Sequence, residues 1–383
     1  MKPNIPLLLC LGLLACGDKD VDDTAPPEGD TDTDTDTDTD TDTDADGDTD
    51  ADTDTDADVD TVLSFDIDGE WDGTAMSLSW FLPGEDLEFS TILWEGAVTG
   101  ATTGIDPGPV PAEQISEVEP GLHLALYVPA MYADDDGDAI HDEGEIYVGV
   151  SRIWPVWIEG DPPTEYAAAG LVAGWNAIEL DFGSDGDFTV EDPMAIPIDA
   201  DLWPTESLEI GGTYGGAAPI GSQRLTLISG VGMEGGEISD LLYDGALTDP
   251  WSISVSGDAP ESHRVDQPEF GLTMAWEYPF TYIDNDGSGG PSDGDLPMSF
   301  ACLGRDYVLL YWMTPAASVE AAFTYAYSWS TYGWAPGWFA ASVDPRSSEP
   351  MPYALDPSEY GNLELSEACN PWPPPPAGPL SLK

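Results

Sequence analysis

The feature that most limits how this chain can fold is an internal repeat. Residues 121–137 align without a gap with residues 271–287, and eight of the 17 positions are identical. Other segments match in the same order with small changes in offset: residues 67–75 with 210–218, 94–99 with 243–248, 170–181 with 333–344, and Pro193-Met194 with Pro350-Met351. Such repeats indicate two copies of one folding unit. The sequence therefore predicts homologous domains at residues 62–205 and 206–370, and a proline-rich tail at residues 371–383.

Within each copy the candidate secondary-structure elements are short and rich in Val, Ile, Tyr, Trp and Thr, and clusters of Gly, Pro and Asp separate them. This pattern is typical of β-strands. Strands are predicted over residues 75–82, 122–128, 145–150, 225–229 and 307–313, whereas residues 319–327 fit a short helix. Many short strands between turns predict an all-β fold, in which each domain is either a β-sandwich or a jelly roll.

The charge of the chain restricts its partners. It carries 75 Asp and Glu against eight Lys and Arg, a formal net charge of −67. Because this charge repels phosphates, we expect no nucleic-acid partner and no binding to anionic lipid headgroups. Cations are the expected counter-species. The alternative interpretation is that the acidic surface keeps the protein soluble, for example in a salty habitat.

Much of the acid lies in a spacer at residues 16–61. From Asp30 to Asp60 every even position is Asp, with Thr, Ala, Gly or Val between. Such a segment has almost nothing apolar to bury, so the sequence predicts that it is disordered. Carboxylates closer than the Debye length of about 8 Å repel one another and extend the chain, as suits a stalk of roughly 150 Å at full stretch.

The first 15 residues have the order of a secretory signal peptide. Lys2 precedes an apolar run from Ile5 to Leu14, which is shorter than the roughly 20 residues that a membrane-spanning helix needs. The tetrad Leu13-Leu14-Ala15-Cys16 resembles the lipobox of bacterial lipoproteins. The resemblance implies that Cys16 is acylated and anchors the protein to a membrane. Gly17 at the next position favours the outer membrane or cell surface.

Two cysteines remain for the folded part. Cleavage of the signal peptide would remove Cys10, and Cys16 would carry the lipid. Cys302 and Cys369 would then remain, in an oxidising compartment. We therefore predict a disulfide between Cys302 and Cys369. The rival interpretation, a metal-binding or catalytic thiol, lacks a neighbouring Cys or His at a suitable spacing.

The first copy contains an acidic loop with the spacing of a metal site. Residues 134–145 read DDDGDAIHDEGE. Loop positions 1, 3, 5, 9 and 12 are occupied by Asp134, Asp136, Asp138, Asp142 and Glu145. Calcium takes six to eight oxygen ligands at about 2.3 to 2.6 Å, and a terminal Glu can bind it through both oxygens. The pattern resembles the calcium repeats of thrombospondin type 3 and EF-hand-like bacterial loops, which implies calcium as cofactor. Position 6, which is Gly in that pattern, is Ala139 here.

The second copy carries a loop at the equivalent place. Residues 284–295 read DNDGSGGPSDGD, with Asp284, Asp286, Ser288 and Asp295 at positions 1, 3, 5 and 12. Gly289 restores the turn residue at position 6. The sequence predicts a weaker or differently coordinated site, and the alternative for both loops is an ordinary solvated turn, since Asp, Asn and Gly are common turn residues. We expect structural ions that pin the loop between the strand ending at Val128 and the strand beginning near Glu145.

The sequence assigns no catalytic residue. Neither a His-Glu-x-x-His zinc motif nor a Gly-rich loop with its phosphate-binding Lys occurs. We expect His141, inside the first loop, to be exposed. The tryptophans could form stacking platforms for sugars, although aromatic residues at strand spacing are more often core, as predicted for Trp175 and Trp338. The candidates for a platform include Trp154, Trp157, Trp312, Trp329, Trp334 and Trp338.

Three functions follow from these patterns. The sequence favours a structural or adhesive lipoprotein of the cell envelope or surface, rigidified by calcium. The second is a carbohydrate- or peptide-binding module, which predicts an exposed aromatic or concave patch. The third is a hydrolase, which predicts facing carboxylates buried in a cleft, in one copy alone.

Overall fold

The computed structural model describes residues 63–82, 88–180, 188–216, 222–230, 241–268, 271–292, 295–344 and 352–366. The predicted signal peptide, spacer and proline-rich tail lie outside these residues. The described chain forms two sheets of 11 strands each. The first sheet comprises β1 (Leu63–Gly69), β2 (Thr74–Leu82), β3 (Glu88–Ala97), β4 (Thr102–Ile105), β5 (Ser116–Glu119), β6 (Leu122–Ala133), β7 (Tyr147–Val150), β8 (Ile153–Glu159), β9 (Gly174–Leu180), β10 (Phe188–Glu191) and β11 (Ile196–Ala200). The second comprises β12 (Ser207–Tyr214), β13 (Gln223–Ser229), β14 (Asp244–Ala246), β15 (Trp251–Ser256), β16 (Val265–Gln267), β17 (Leu272–Ile283), β18 (Leu296–Leu303), β19 (Asp306–Met313), β20 (Gly337–Val343), β21 (Tyr353–Ala354) and β22 (Leu363–Ser366).

Helical segments are short. They are the α-helices α1 (Thr164–Ala169) and α2 (Val319–Thr324), a π-helical turn (Tyr325–Trp329) and the 3₁₀ turns Ala112–Gln114, Glu261–His263, Ser330–Tyr332 and Pro357–Glu359. The predicted helix at residues 319–327 therefore exists, but its second half is a π-helical turn. The all-β fold class is confirmed.

The two sheets have the same topology. The first runs β10-β9-β8-β6-β7-β11-β1-β4, with β2 beside β6 and β3 beside β2. Each of its strands has a counterpart eleven places further along the chain, and the parallel pair β1–β11 recurs as β12–β22. This shared pairing, including the parallel closure, is what a duplicated folding unit produces.

Each sheet bends into a β-sandwich around its own apolar core. The core of the first sandwich (β1–β11) takes buried side chains from β1, β2, β6, β9 and β11. The core of the second sandwich (β12–β22) takes them from the corresponding strands β12, β13, β17, β20 and β22. The longest strands are β6 and β17, with 12 residues each. Nearly every residue of β6 is buried, because both of its faces are covered.

One of the repeated motifs has a packing reason. A Cβ atom on Gly96 would come within 2.5 Å of the Trp94 ring, and one on Gly245 within 2.7 Å of the Tyr243 hydroxyl. In each copy the aromatic ring lies across the glycine two residues later, where a side chain would displace it. This close approach explains why an aromatic residue and a glycine recur at the same spacing in both copies.

The two sandwiches share a third apolar core, which we call the shared core. It joins the outer faces of β6, β8 and β9 to those of β17, β19 and β20. The connection before β20 is longer than its counterpart before β9, and its helical residues 319–332 pack between the sheets. The tandem units are therefore packed against each other rather than linked loosely.

Polar contacts cross the shared core as well. Arg152 donates from Nη2 to the Ala326 carbonyl at 2.8 Å and to the Ser330 hydroxyl at 2.7 Å. The indole N–H of Trp154 donates to the Tyr327 hydroxyl at 2.9 Å. The bond to Tyr327 pairs the indole N–H of a fully buried side chain, whereas Arg152 is exposed. These hydrogen bonds fix the position of the helical segment on the first sandwich.

Truncating Trp154 tests whether the shared core stabilises the whole protein. Trp154 is fully buried and contacts Phe323 across the joint, with ring centroids 5.7 Å apart. We expect Trp154→Ala to lower the free energy of unfolding by about 3 to 5 kcal/mol because it leaves a large cavity. Urea unfolding followed by circular dichroism measures this. The control Ile92→Ala, at a side chain 41% exposed, should change it by less than about 0.5 kcal/mol. Equal effects would mean that the joint adds no stability.

Candidate metal sites

The two acidic loops occupy the same place in both sandwiches. Residues 134–145 connect β6 to β7, and residues 284–295 connect β17 to β18. The strand before the first loop ends at Ala133, not at Val128 as predicted, because the run of buried side chains continues to the edge of the loop. The following strand begins at Tyr147 rather than near Glu145. Each loop is therefore held directly between two central strands.

The first loop brings three of its five predicted ligands together. Carboxylate oxygens of Asp134, Asp136 and Asp138 lie within 4.8 Å of one another. Three like charges this close repel strongly unless a cation lies among them. Asp142 and Glu145 are not part of this group. The three aspartates could hold a metal ion.

Glu145 has a different position from the other acids of the first loop. It is 6% exposed, and both of its carboxylate oxygens accept hydrogen bonds at 2.9 Å, from the backbone N–H groups of Asp135 and Asp142. Glu145 thus ties loop position 12 to positions 2 and 9 and closes the loop.

The second loop repeats this arrangement with shorter side chains. Asp295 is fully buried and accepts hydrogen bonds at 2.8 Å from the backbone N–H groups of Asn285 and Ser292, at the same loop positions. A group of three carboxylates again lies within 4.8 Å, here Asp284, Asp286 and Asp295. Ser288 donates its hydroxyl hydrogen to the Gly290 carbonyl. The terminal acid is therefore nearer the other carboxylates than in the first loop.

Hydrogen bonds keep the exposed acid of the second loop ionised. The pKa of Asp286 is lowered, chiefly by hydrogen bonding from Ser288 and further by the hydroxyl of Ser292, which donates at 2.9 Å. Its carboxylate is therefore charged at every pH near neutrality, as a metal ligand must be.

Ser292 lies within the string Gly-Pro-Ser-Asp-Gly at residues 290–294, which has the spacing of a serine-hydrolase motif. Its hydroxyl, however, hydrogen-bonds to the carboxylates of Asp286 and Asp295 in the loop.

Loop position 6 has the backbone that the pattern requires in both copies. Gly289 has φ +77°, and Ala139 has φ +60°, a left-handed conformation that is unfavourable for a residue with a Cβ. Each loop also has hydrogen bonds from positions 4 and 6 to the first aspartate, Asp134 or Asp284. The alanine is accommodated by this network at the cost of local strain.

Exchanging the two residues at position 6 measures that strain. We expect Ala139→Gly to raise the free energy of unfolding by up to about 1 kcal/mol, because the left-handed backbone penalty disappears. The reverse change, Gly289→Ala, should lower it by a similar amount, since no atom lies within 4 Å of the added Cβ and the backbone alone decides. Thermal unfolding of both variants in chelator checks this. A gain for Gly289→Ala would contradict the assigned conformation.

His141 is not exposed, contrary to the prediction. Its ring stacks on Tyr147 at 4.6 Å and meets the edge of Tyr132 at 5.2 Å, and its Nε2 is buried without a hydrogen-bond partner. Its backbone N–H donates to Glu95 at 3.2 Å. The aromatic side chains at the ends of β6 and β7 thus cover the inner side of the loop and draw His141 in, which the loop sequence alone did not show.

Part of the predicted cysteine chemistry lies outside the described residues. Cys302 is fully buried on β18 and is disulfide-bonded. Its predicted partner, Cys369, and the predicted lipidation residue, Cys16, are not among the described residues. The pairing of Cys302 with Cys369 and the acylation of Cys16 remain predictions.

The tryptophans that the sequence offered as stacking platforms are mostly buried. Five of the six candidates are less than 9% exposed, and Trp157 is half-buried; the five are Trp154, Trp312, Trp329, Trp334 and Trp338. Trp175 is 5% exposed, so the core prediction for it is correct. A cavity of 390 Å³ near the joint includes Trp312, but the Arg264 guanidinium lies 4.6 Å from its ring. This ring offers no free face to a sugar.

Sequence reasoning missed one buried acid. Glu277 on β17 is fully buried and lies 2.7 Å from the Nδ1 atom of His263. The repeat carried the signal, because its alignment sets Glu277 against Tyr127 within an apolar strand. A charged residue at an inward position of a strand indicates either a partner or a function.

Comparison with known proteins adds little to this geometry. No protein-family model and no curated protein matches the chain. A C-terminal fragment of the pilus adhesin SpaC from Lactobacillus rhamnosus GG aligns with 79% of this chain and 95% of that fragment, at 8% identity and a TM-score of 0.16. A score this low carries no argument about function. No helix within the described ranges is long and apolar enough to cross a membrane.

Proposed function

We propose that this protein is a structural or adhesive lipoprotein of the bacterial cell envelope or surface, whose two sandwiches are rigidified by calcium in the paired loops. The observation that carries the proposal is the repeated group of three carboxylates at the same corner of both sandwiches. Both loops bring three carboxylates together, at loop positions 1, 3 and 5 in the first copy and 1, 3 and 12 in the second.

The chemistry of the loops favours calcium over other metals. Every predicted ligand is an oxygen atom, which suits the hard cations calcium and magnesium. Calcium accepts six to eight oxygens in flexible geometry, whereas magnesium demands a near-ideal octahedron. In the first loop Asp134, Asp136 and Asp138 would hold the ion. In the second loop Asp284, Asp286 and Asp295 would hold it.

The position of the loops favours a structural role for the ion. Each loop joins two strands that pair directly with each other, β6 with β7 and β17 with β18. An ion here would neutralise the carboxylates and fix this hairpin, which holds the sandwich together. The first strand of each hairpin also contributes to the shared core. Loss of the ion should therefore weaken the joint as well as the loop.

Thermal unfolding with and without calcium tests the proposal. A ligand that binds the native state alone at 100 times its dissociation constant adds about 2.7 kcal/mol of stability. We expect calcium to raise the unfolding midpoint more than magnesium does, and Asp136→Asn to remove most of the shift. The matched control is Asp135→Asn, which removes the same charge from the same loop at an exposed position outside the carboxylate group. If both variants lose the calcium-induced shift equally, or if chelator does not change the midpoint, the loops are ordinary acidic turns rather than calcium sites.

Acylation is tested separately. In a bacterial host that processes lipoproteins, the chain should incorporate labelled palmitate and sediment with membranes, because Cys16 carries the lipid. Cys16→Ser should abolish the label and release the protein. Cys302→Ser serves as control for the loss of a thiol and should leave the label unchanged. Protease added to intact cells should degrade a protein displayed outside. Palmitate on the Cys16→Ser variant would disprove this anchor.

A further inference from the structure

The core of the second sandwich contains an ionisable pair that neither loop explains. His263 ends the 3₁₀ turn Glu261–His263, and its Nδ1 lies 2.7 Å from Glu277 Oε1. His263 is 5% exposed and Glu277 is fully buried. The second oxygen, Glu277 Oε2, is buried without a hydrogen-bond partner. A carboxylate in this position is costly to ionise, since water cannot reach it.

The first sandwich has a neutral pair at the equivalent place. Gln114 ends the corresponding 3₁₀ turn, and its side-chain oxygen accepts a hydrogen bond of 2.6 Å from the Tyr127 hydroxyl. Tyr127 on β6 and Glu277 on β17 are aligned by the repeat. Both pairs therefore fasten a 3₁₀ turn to the longest strand. The second pair contains a carboxyl group whose pKa is raised by burial, whereas the first has no such group, since Gln does not titrate and burial raises the pKa of Tyr127.

The neighbours of Glu277 leave its charge uncompensated except by His263. Its cross-strand partners are Ser229 on β13 and Leu310 on β19. Ser229 is 4% exposed and its hydroxyl also lacks a partner. The corresponding partner of Tyr127 is the bulky Trp80. The small Ser229 brings no charge to the site.

Other charged groups nearby are occupied elsewhere. Arg264 donates to the Ala259 carbonyl and to Asp258, and its guanidinium lies over Trp312. Glu261 on the same turn and Asp266 on β16 are exposed. The strands that line this core direct apolar side chains toward it, apart from Tyr214, whose hydroxyl accepts from Gln223. The remaining ionisable side chains of β12, β13, β17, β19 and β22 are Glu209, Arg224, Tyr278, Tyr282, Asp306, Tyr307, Tyr311 and Glu364, and Tyr360 packs against this core from the turn Pro357–Glu359.

We propose that the His263–Glu277 pair is a proton-dependent latch, which holds the turn Glu261–His263 on the second sandwich while it keeps its proton and loosens when it loses it. With the proton, the pair is neutral overall and bridged by one hydrogen bond. Without it, a carboxylate remains in the core with one buried oxygen unsatisfied. The first sandwich lacks this sensitivity because its pair is neutral throughout.

The direction of the pH effect follows from Glu277. Burial raises its pKa above the ordinary value of 4.5, and the hydrogen bond from His263 offsets part of the rise. Below pH 4.5 the folded and unfolded chains both keep the proton. Above that pH the unfolded chain loses it first, so the native state is disfavoured by up to about tenfold per pH unit until the folded value is reached. Stability from this pair is thus lost as pH rises.

The test compares the full mature chain with its Glu277→Gln variant, which has the same shape but no proton to lose. Urea unfolding from pH 4.5 to 9, at one calcium concentration throughout, gives an unfolding constant at each pH. We expect the constant of the unmodified protein to rise relative to that of Glu277→Gln, by up to about tenfold per pH unit, and then to level off. The control Tyr127→Phe should change stability equally at every pH. Parallel curves for Glu277→Gln and the unmodified protein would overturn the proposal.

A second measurement keeps the proposal testable if Glu277→Gln does not fold. The chain has three histidines, so protein labelled with nitrogen-15 in histidine gives three ring systems by NMR. We expect the Nδ1 chemical shift of His263 to differ from that of the half-exposed His123, because His263 Nδ1 lies 2.7 Å from Glu277 Oε1. Equal Nδ1 shifts for the two rings would overturn the latch. This result is independent of calcium binding, so it separates the latch from the proposed function.

Discussion

The architecture depends on the mutual burial of two apolar sheet faces. A sandwich normally keeps its outer faces polar, but here β6, β8 and β9 of one copy and β17, β19 and β20 of the other are apolar on both sides. Neither face can remain in water without a large free-energy cost, so each covers the other. The helical residues 319–332 pack between the two faces, and the side chains of Arg152 and Trp154 form hydrogen bonds with that segment. The result is a stack of three apolar layers with two sheets between them.

The acidic surface and the two acidic loops have the same origin, because the carboxylates are kept out of the apolar cores. The apolar layers leave no interior place for carboxylates except where a partner or backbone N–H groups stabilise them. Glu145 and Asp295 are buried because each accepts two backbone hydrogen bonds. The aspartates ahead of them converge because the tight turn gives them no other direction. A cation in each loop would relieve the repulsion between the carboxylates. Each loop also belongs to a hairpin, β6–β7 or β17–β18, whose first strand contributes both to its own sandwich core and to the shared core.

The two copies share their strand topology but differ at positions of physical importance. The first loop keeps a strained Ala139 where the second has Gly289. The turn beside β6 is held by a neutral pair, and the turn beside β17 by the ionisable His263 and Glu277. The longer connection before β20 supplies a longer helical segment than α1, its counterpart in the first copy. Each difference changes how one copy responds to ions, to protons or to its neighbour, while the eleven-strand topology is unchanged.

The sequence by itself determined the repeat, the strand-rich fold and the positions of both acidic loops, because these depend on local patterns and on self-similarity. It placed Asp134, Asp136 and Asp138 together, since residues two apart in a tight turn must converge. Only the tertiary structure decided that Glu145 lies beneath the loop, that His141 is drawn between two tyrosines, and that Glu277 meets His263. Those contacts join residues far apart in sequence or on different strands. The same holds for the shared core, because an apolar strand face does not reveal whether its own sandwich or the neighbouring one will cover it.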